Sequence, residues 1–209
     1  MKILFLIVVT LHLVIGAAEG ELQYGDIIAV PKSCGFTFKH YGIYLDKKRF
    51  KDQKDNDNIF HFTGFKRNAI LGGCIFDKID IQQYEKDNYL DKIKTYKDKV
   101  STEEITRRIE EKYESCGTHP KTDIWEAFSN NCEHLANYIR YGEKISLQIG
   151  QNAAVLVRNP EKTKDEINQI KQQLTADEVL CDDACKKQGT QILKEDRYDD
   201  ESCPNTKIV

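Results

Sequence analysis

Lys39-His40-Tyr41-Gly42-Ile43-Tyr44-Leu45 and Ile59-Phe60-His61-Phe62 are the stretches on which the reading of this chain turns. Both are short and rich in aromatic and β-branched residues, which favours extended backbone, and each carries one histidine. The segment between them, Asp46 to Asn58, holds Lys47, Lys48, Arg49, Lys51 and Lys54 among acids and reads as a solvated loop. Two such strands around a polar connection predict an antiparallel hairpin. Side chains alternate between the faces of a strand, so a suitable register sets His40 and His61 on one face.

Working outward, Tyr24-Gly25-Asp26 reads as a turn, and Ile27-Ile28-Ala29-Val30 as a short strand stopped by Pro31. Downstream, Ile75 to Ile81 alternates as a strand, with Ile75, Asp77, Ile79 and Ile81 on one face. Helices follow. Ser101-Thr102-Glu103-Glu104 is a capping box ahead of Ile105, Ile109 and Tyr113 at helical spacing. A second helix opens at Asn131-Cys132, carries Leu135, Ala136 and Ile139, and stops at Gly142. A third, Asp165 to Leu174, is polar except for the stripe Ile167, Ile170, Leu174. Strands first and helices after predict an α+β fold.

The chain has 209 residues, with 31 Lys and Arg against 34 Asp and Glu, so it lacks the basic footprint of a nucleic-acid binder. Met1-Lys2, the apolar run Ile3 to Ile15 and the small residues Gly16-Ala17-Ala18 have the form of a signal peptide, too short in its apolar part for a spanning helix. Residues 1–18 are therefore expected to be removed and the remainder secreted or held in the secretory lumen. An uncleaved signal anchor is the alternative. Residues 19–158 read as one domain, and 159–209 as an acidic extension with 8 Lys and Arg against 12 Asp and Glu. Seven cysteines in a secretory chain leave one without a partner.

Cys132 falls in the first turn of its helix behind the capping residues Asn130-Asn131. The helix dipole there favours thiolate, so a lowered pKa is expected. A thiolate attacking an acyl carbon still needs a base and a group to orient that base, and His40 and His61 are the candidates. The plain alternatives are a buried cysteine acting as a small hydrophobe and histidines that are merely packed. Zinc at Cys132, Glu133 and His134 is disfavoured, because adjacent helical residues diverge and no C-x-x-C pair completes a site. No metal or cofactor is expected.

Asn131-Cys132-Glu133-His134, continued to Arg140-Tyr141-Gly142, resembles the N-C-E-H-F box and R-Y-G ending of the lecithin:retinol acyltransferase (LRAT) family. Gly25-Asp26-Ile27-Ile28-Ala29-Val30 is similar to that family's G-D-L-I strand. Lys39 to Leu45 is similar to its basic-H-W-A-I-Y-V strand, and Phe60-His61-Phe62 to its second histidine strand. The resemblance implies a permuted papain-like (NlpC/P60-type) α+β fold, with an antiparallel sheet packed on helices that include the one bearing the nucleophile. It implies Cys132 as nucleophile, His40 as general base and His61 as the orienting third member. The implied reaction attacks a phospholipid or other acyl ester, forms an acyl-thioester and passes the acyl group to water, an amine or an alcohol.

Tyr41-Gly42 stand where the family has W-A, and Leu135 where it has Phe; the hairpin loop is longer than in the small phospholipase A/acyltransferases. Tyr41 and Trp125 are candidates for the lipid pocket. The implied partners are ester lipids and a peripheral membrane surface. A catalytically silent lipid- or protein-binding member and a cysteine amidase or peptidase are the rival readings. With Cys132 kept as a thiol, Cys34, Cys74, Cys116, Cys181, Cys185 and Cys203 are the disulfide candidates. Three of these lie in the domain and three in the extension, so full pairing requires a bridge between them.

Overall fold

In the computed structural model, which describes residues 21–34, 36–63, 73–118, 126, 128–174, 184–185, 187 and 190–191, the two histidine stretches are neighbouring strands. The sheet is built from β1 (Ile27–Cys34), β2 (Phe36–Tyr44), β3 (Ile59–Phe62), β4 (Cys74–Asp77) and β5 (Glu85–Lys86). Its order is β4-β3-β2-β1-β5, and every pairing is antiparallel. The α-helices are the single turn α1 (Lys94–Lys97), then α2 (Thr102–Lys112), α3 (Cys132–Tyr141) and α4 (Lys164–Gln173). The architecture is α+β, as the order of strands and helices predicts.

Pro31 does not stop β1. Ile27 donates its N–H to Asn88 Oδ1 at 2.8 Å and accepts from the Asp87 N–H at 2.9 Å, so alternate residues of β1 turn their backbone groups away from β2. Pro31 shares that parity and lies beyond the two-residue β5, where no ladder bond needs the N–H it lacks. The strand expected to reach Ile81 ends instead at Asp77. Asp80 accepts from the Gln82 N–H at 3.2 Å and opens a 3-10 turn over Ile81–Gln83. At α2, Ser101 caps the helix by accepting from the Glu104 N–H at 3.1 Å. The Glu104 carboxylate pairs forward with Arg107 and Arg108, at 3.0 and 3.1 Å.

One face of the sheet makes the main core. Ile27, Ala29, Tyr41, Ile43, Phe60 and Phe62 are buried with Leu135, Ala136 and Ile139 of α3 and Ile105 and Ile109 of α2. Each such large side chain removed from water contributes about 2 kcal/mol. Ile170 and Leu174, in and after α4, enter the same cluster, so the chain beyond residue 158 also packs on this core. On the other face, Ile28, Ile59 and Ile79 form a smaller cluster flanked by Tyr44 and Tyr84.

The end of α3 is a charged anchor. Arg140 donates to the Gly25 carbonyl at 2.8 Å and pairs with Asp91 at 2.8 Å and Asp26 at 3.4 Å, while the Tyr141 hydroxyl donates to Asp91 at 2.8 Å. Gly142, at φ +77°, then ends the helix in the left-handed conformation that glycine adopts without penalty. Arg-Tyr-Gly is thus an anchor followed by a stop.

A disulfide joins Cys74, at the start of β4, to Cys116, in the π-helical turn Tyr113–Thr118 after α2. Cys185 is disulfide-bonded as well. The expected signal segment 1–18, Trp125, Cys181, Cys203 and the side chain of Cys34 lie outside the described residues. Among the described residues no helix is long and apolar enough to cross a membrane. Cys74 and Cys116 are 42 residues apart, so their bridge removes considerable freedom from the unfolded chain. Replacing both by Ser is expected to lower the unfolding free energy by about 2–5 kcal/mol in urea titrations. A double variant as stable as the parent would contradict this role.

Candidate active site

The site begins where α3 begins. Asn131 accepts from the N–H groups of Glu133 at 3.0 Å and His134 at 3.2 Å, and His134 Nδ1 returns an acceptor to the Asn131 N–H at 3.3 Å. This reciprocal cap fixes the first turn, where Cys132 is a buried free cysteine. Its sulfur lies against the edge of β2. The alternate residues Thr37, Lys39 and Tyr41 turn their N–H groups to the side where β3 would lie, but β3 ends at Phe62. Three side chains take the place of the missing strand. Asn152 Oδ1 accepts from Thr37 at 2.6 Å, Gln148 Oε1 from Lys39 at 2.8 Å, and Cys132 Sγ from Tyr41 at 3.5 Å.

The histidines meet on the opposite face from α3. His61 pairs with Gly42, two residues beyond His40, so both imidazoles emerge from one side of the sheet. His40 Nε2 and His61 Nδ1 are 2.8 Å apart, with the rings at 76°. Gly42 allows this approach. A Cβ there would collide with the Ile59 side chain and lie 3.2 Å from His61 Cβ. Cys132 touches the strand that carries His40 and not the imidazoles themselves: its sulfur accepts from the Tyr41 N–H, the next along the chain from His40. The far nitrogen of His61, Nε2, stands 3.6 Å from Asp77 Oδ2.

The electrostatics correct one expectation. Burial pushes the Cys132 thiol up to about 12, although the N–H groups of Tyr41, Glu133 and Cys132 itself pull it down. The neighbouring Glu133 carboxylate pushes in the same direction as burial. A helix start favours thiolate only where water or a counter-charge shares the charge, and here desolvation outweighs it. Burial likewise drives His40 down to about 3, helped by His61 and Lys32. The resting pair is therefore a neutral thiol and a neutral imidazole. His61 lies beside the Asp77 carboxyl and holds it below the ordinary carboxylate range.

Glu133 and His134 serve the scaffold. Glu133 accepts from Tyr89 Oη at 2.8 Å, Ser146 Oγ at 2.6 Å, the Leu147 and Gln148 N–H groups at 3.0 and 3.1 Å, and Gln148 Nε2 at 2.9 Å. His134 Nε2 donates to the Arg158 carbonyl at 2.9 Å, and burial lowers this histidine to about 4. Tyr41, a candidate pocket residue, has its ring wholly in the core and meets the site through its backbone. Gln148, Asn152 and Asp77 escape a reading by motif. Only Asp77 carries a signal, as a carboxylate in an Ile-rich strand.

Comparison with known proteins agrees with the motifs. The profile described as Lecithin retinol acyltransferase matches residues 20–145, and the chain belongs to that family. Proteins named lecithin retinol acyltransferase from Rattus norvegicus and Mus musculus are 30% and 32% identical over 158 and 144 residues. These matches cover 65% and 59% of this chain, and the chain spans only 62% and 56% of the length of those relatives. The Bos taurus protein of the same name is 28% identical over 156 residues, 65% of this chain and 63% of its own. No solved structure matches.

Two outcomes follow from this geometry. Because the thiol pKa lies above its ordinary value, alkylation of Cys132 by iodoacetamide should climb roughly tenfold per pH unit from pH 7 to 9. A plateau below pH 7 would mean a preformed thiolate. Gln148, held at φ +46° by Glu133, joins that carboxylate to the Lys39 backbone. Gln148→Ala should cost about 1–3 kcal/mol in thermal or urea unfolding, since it leaves buried polar groups unpaired. An unchanged midpoint would show that the amide carries no load.

Proposed function

We propose that this protein is a secreted, thiol-dependent phospholipase A or acyltransferase with a permuted papain-like fold of the NlpC/P60 type. One juxtaposition carries the reading: a free Cys132 at a capped helix start touches the strand bearing a histidine that is hydrogen-bonded to a second one. In this scheme His40 takes the Sγ proton as sulfur attacks the ester carbonyl carbon. The tetrahedral intermediate collapses, the ester C–O bond breaks, and the leaving alkoxide takes that proton from His40. Water or another alcohol or amine then gives its proton to His40 and attacks the thioester carbon; the C–S bond breaks, and the leaving sulfur takes that proton back from His40. The N–H groups of Tyr41, Cys132 and Glu133, which already lower the thiol pKa, are the donors at hand for the oxyanion.

The neutral resting pair fits this scheme. A general base acting during attack needs an unprotonated imidazole, and the low pKa of His40 keeps it so. The apolar run at residues 3–15 supports entry to the secretory route. The names of the relatives support a lipid ester as acyl donor. The test is incubation with phosphatidylcholine vesicles, followed for lysophospholipid and free or transferred acyl chains. Turnover should fall by about 10³-fold or more in Cys132→Ala. Saturable vesicle binding that survives Cys132→Ala, with no product from any ester, would make the protein a silent lipid binder. Faster cleavage of amides than esters would make it a peptidase-like hydrolase.

A further inference from the structure

His61 Nε2 is buried and has no hydrogen-bond partner among the described residues, and Asp77 Oδ2 faces it across 3.6 Å. Asp77 is the last residue of β4 and pairs with Ile59, while Ile75 pairs with His61. Residues 59, 61, 75 and 77 therefore share one face, and the carboxylate emerges on the side of the sheet that bears both histidines. The Lys78 N–H holds the other oxygen, Oδ1, at 2.8 Å, which leaves Oδ2 free for the imidazole. Asp77, His61 and His40 form a line of three groups, closed at its inner end by the 2.8 Å contact between the histidines.

We propose, resting on the thiol acyl-transfer reading above, that Asp77 is a positioning residue that sets the tautomers of both histidines. An ionised carboxylate only accepts hydrogen bonds, so a His61 ring carrying a single N–H places it on Nε2, toward Asp77. Its Nδ1 is then an acceptor. The 2.8 Å contact must be donated by His40 Nε2–H, which leaves His40 Nδ1 as the basic nitrogen for the Cys132 proton. The 3.6 Å separation is longer than a formed hydrogen bond, and such contacts tighten when substrate binds. The carboxyl stays ionised because His61 holds its pKa below the ordinary range, with the Lys78 N–H and Lys54 acting in the same direction. The Tyr84 phenol, also within electrostatic reach, keeps its proton more tightly than usual because of burial and then Asp77.

The experiment records imidazole ¹H–¹⁵N correlations of the ¹⁵N-histidine-labelled protein at pH 7, together with kcat and KM on phosphatidylcholine vesicles. In the parent, His40 and His61 should both show the Nε2–H tautomer. Asp77→Asn should weaken that preference at His61 and lower kcat about 10- to 100-fold with KM nearly unchanged, while Asp77→Glu restores both. Because Asp77 is part-exposed at a strand end, circular dichroism of both variants should match the parent. An Nδ1–H tautomer at His61 in the parent overturns the proposal. So does an unchanged tautomer in Asp77→Asn, whatever the activity does, or a changed tautomer with unchanged kcat. A parent that turns over no ester sinks the functional reading alone, and the tautomers still decide whether Asp77 governs His61.

Discussion

A carboxylate withdrawn from water, Glu133 accepts hydrogen bonds from Tyr89, Ser146, Leu147 and Gln148, and these bonds hold the site in register. Burial raises its pKa while the surrounding donors work to lower it, so the charge is balanced by its neighbours. Glu133 belongs to the first turn of α3, and its partners come from the segment before α1 and the loop after α3. Through Gln148 the grip extends to the Lys39 peptide, and so to the strand whose Tyr41 N–H touches the sulfur. A half-satisfied network of this kind costs more than an apolar core would, which makes each donor matter. The Asn-Cys-Glu-His run is thus one device: a cap, a thiol, an anchor for the facing loop, and a second cap.

The hairpin, the helix carrying Cys132 and the pairing of the two histidines were legible in the sequence, because each follows from short-range pattern. Alternation and the histidine spacing put two rings on one face, and Asn131 before an apolar stripe marked a helix start. The misses have local causes. Pro31 ends a strand only if its N–H is needed, and whether it is needed depends on the length of β5, a two-residue partner that no pattern announces. Ile79 and Ile81 look like a continuing strand, yet Asp80 between them caps a turn, and polar capping outweighs alternation. Gln148 and Asn152 act as substitutes for backbone acceptors, a use of amide side chains that leaves no periodicity.

Desolvation and the helix dipole compete at Cys132, and sequence position reports only the second. The dipole acts on any residue in the first turn, whereas the penalty for a buried charge depends on what covers the sulfur. Here the cover is the β2 edge and the loop that fills it. The same burial keeps His40 uncharged, so the site rests without separated charge.

The open flank of β2 has a consequence for association. A strand whose N–H groups run past the end of its neighbour is an invitation to a stray strand from another molecule. Here that flank is blocked by two side-chain amides and a thiol, which satisfy the donors one by one without offering a ladder of their own. In the proposed mechanism the stopper and the nucleophile are the same construction. A buried cysteine thereby sits at the margin of a sheet without leaving a sticky edge beside it.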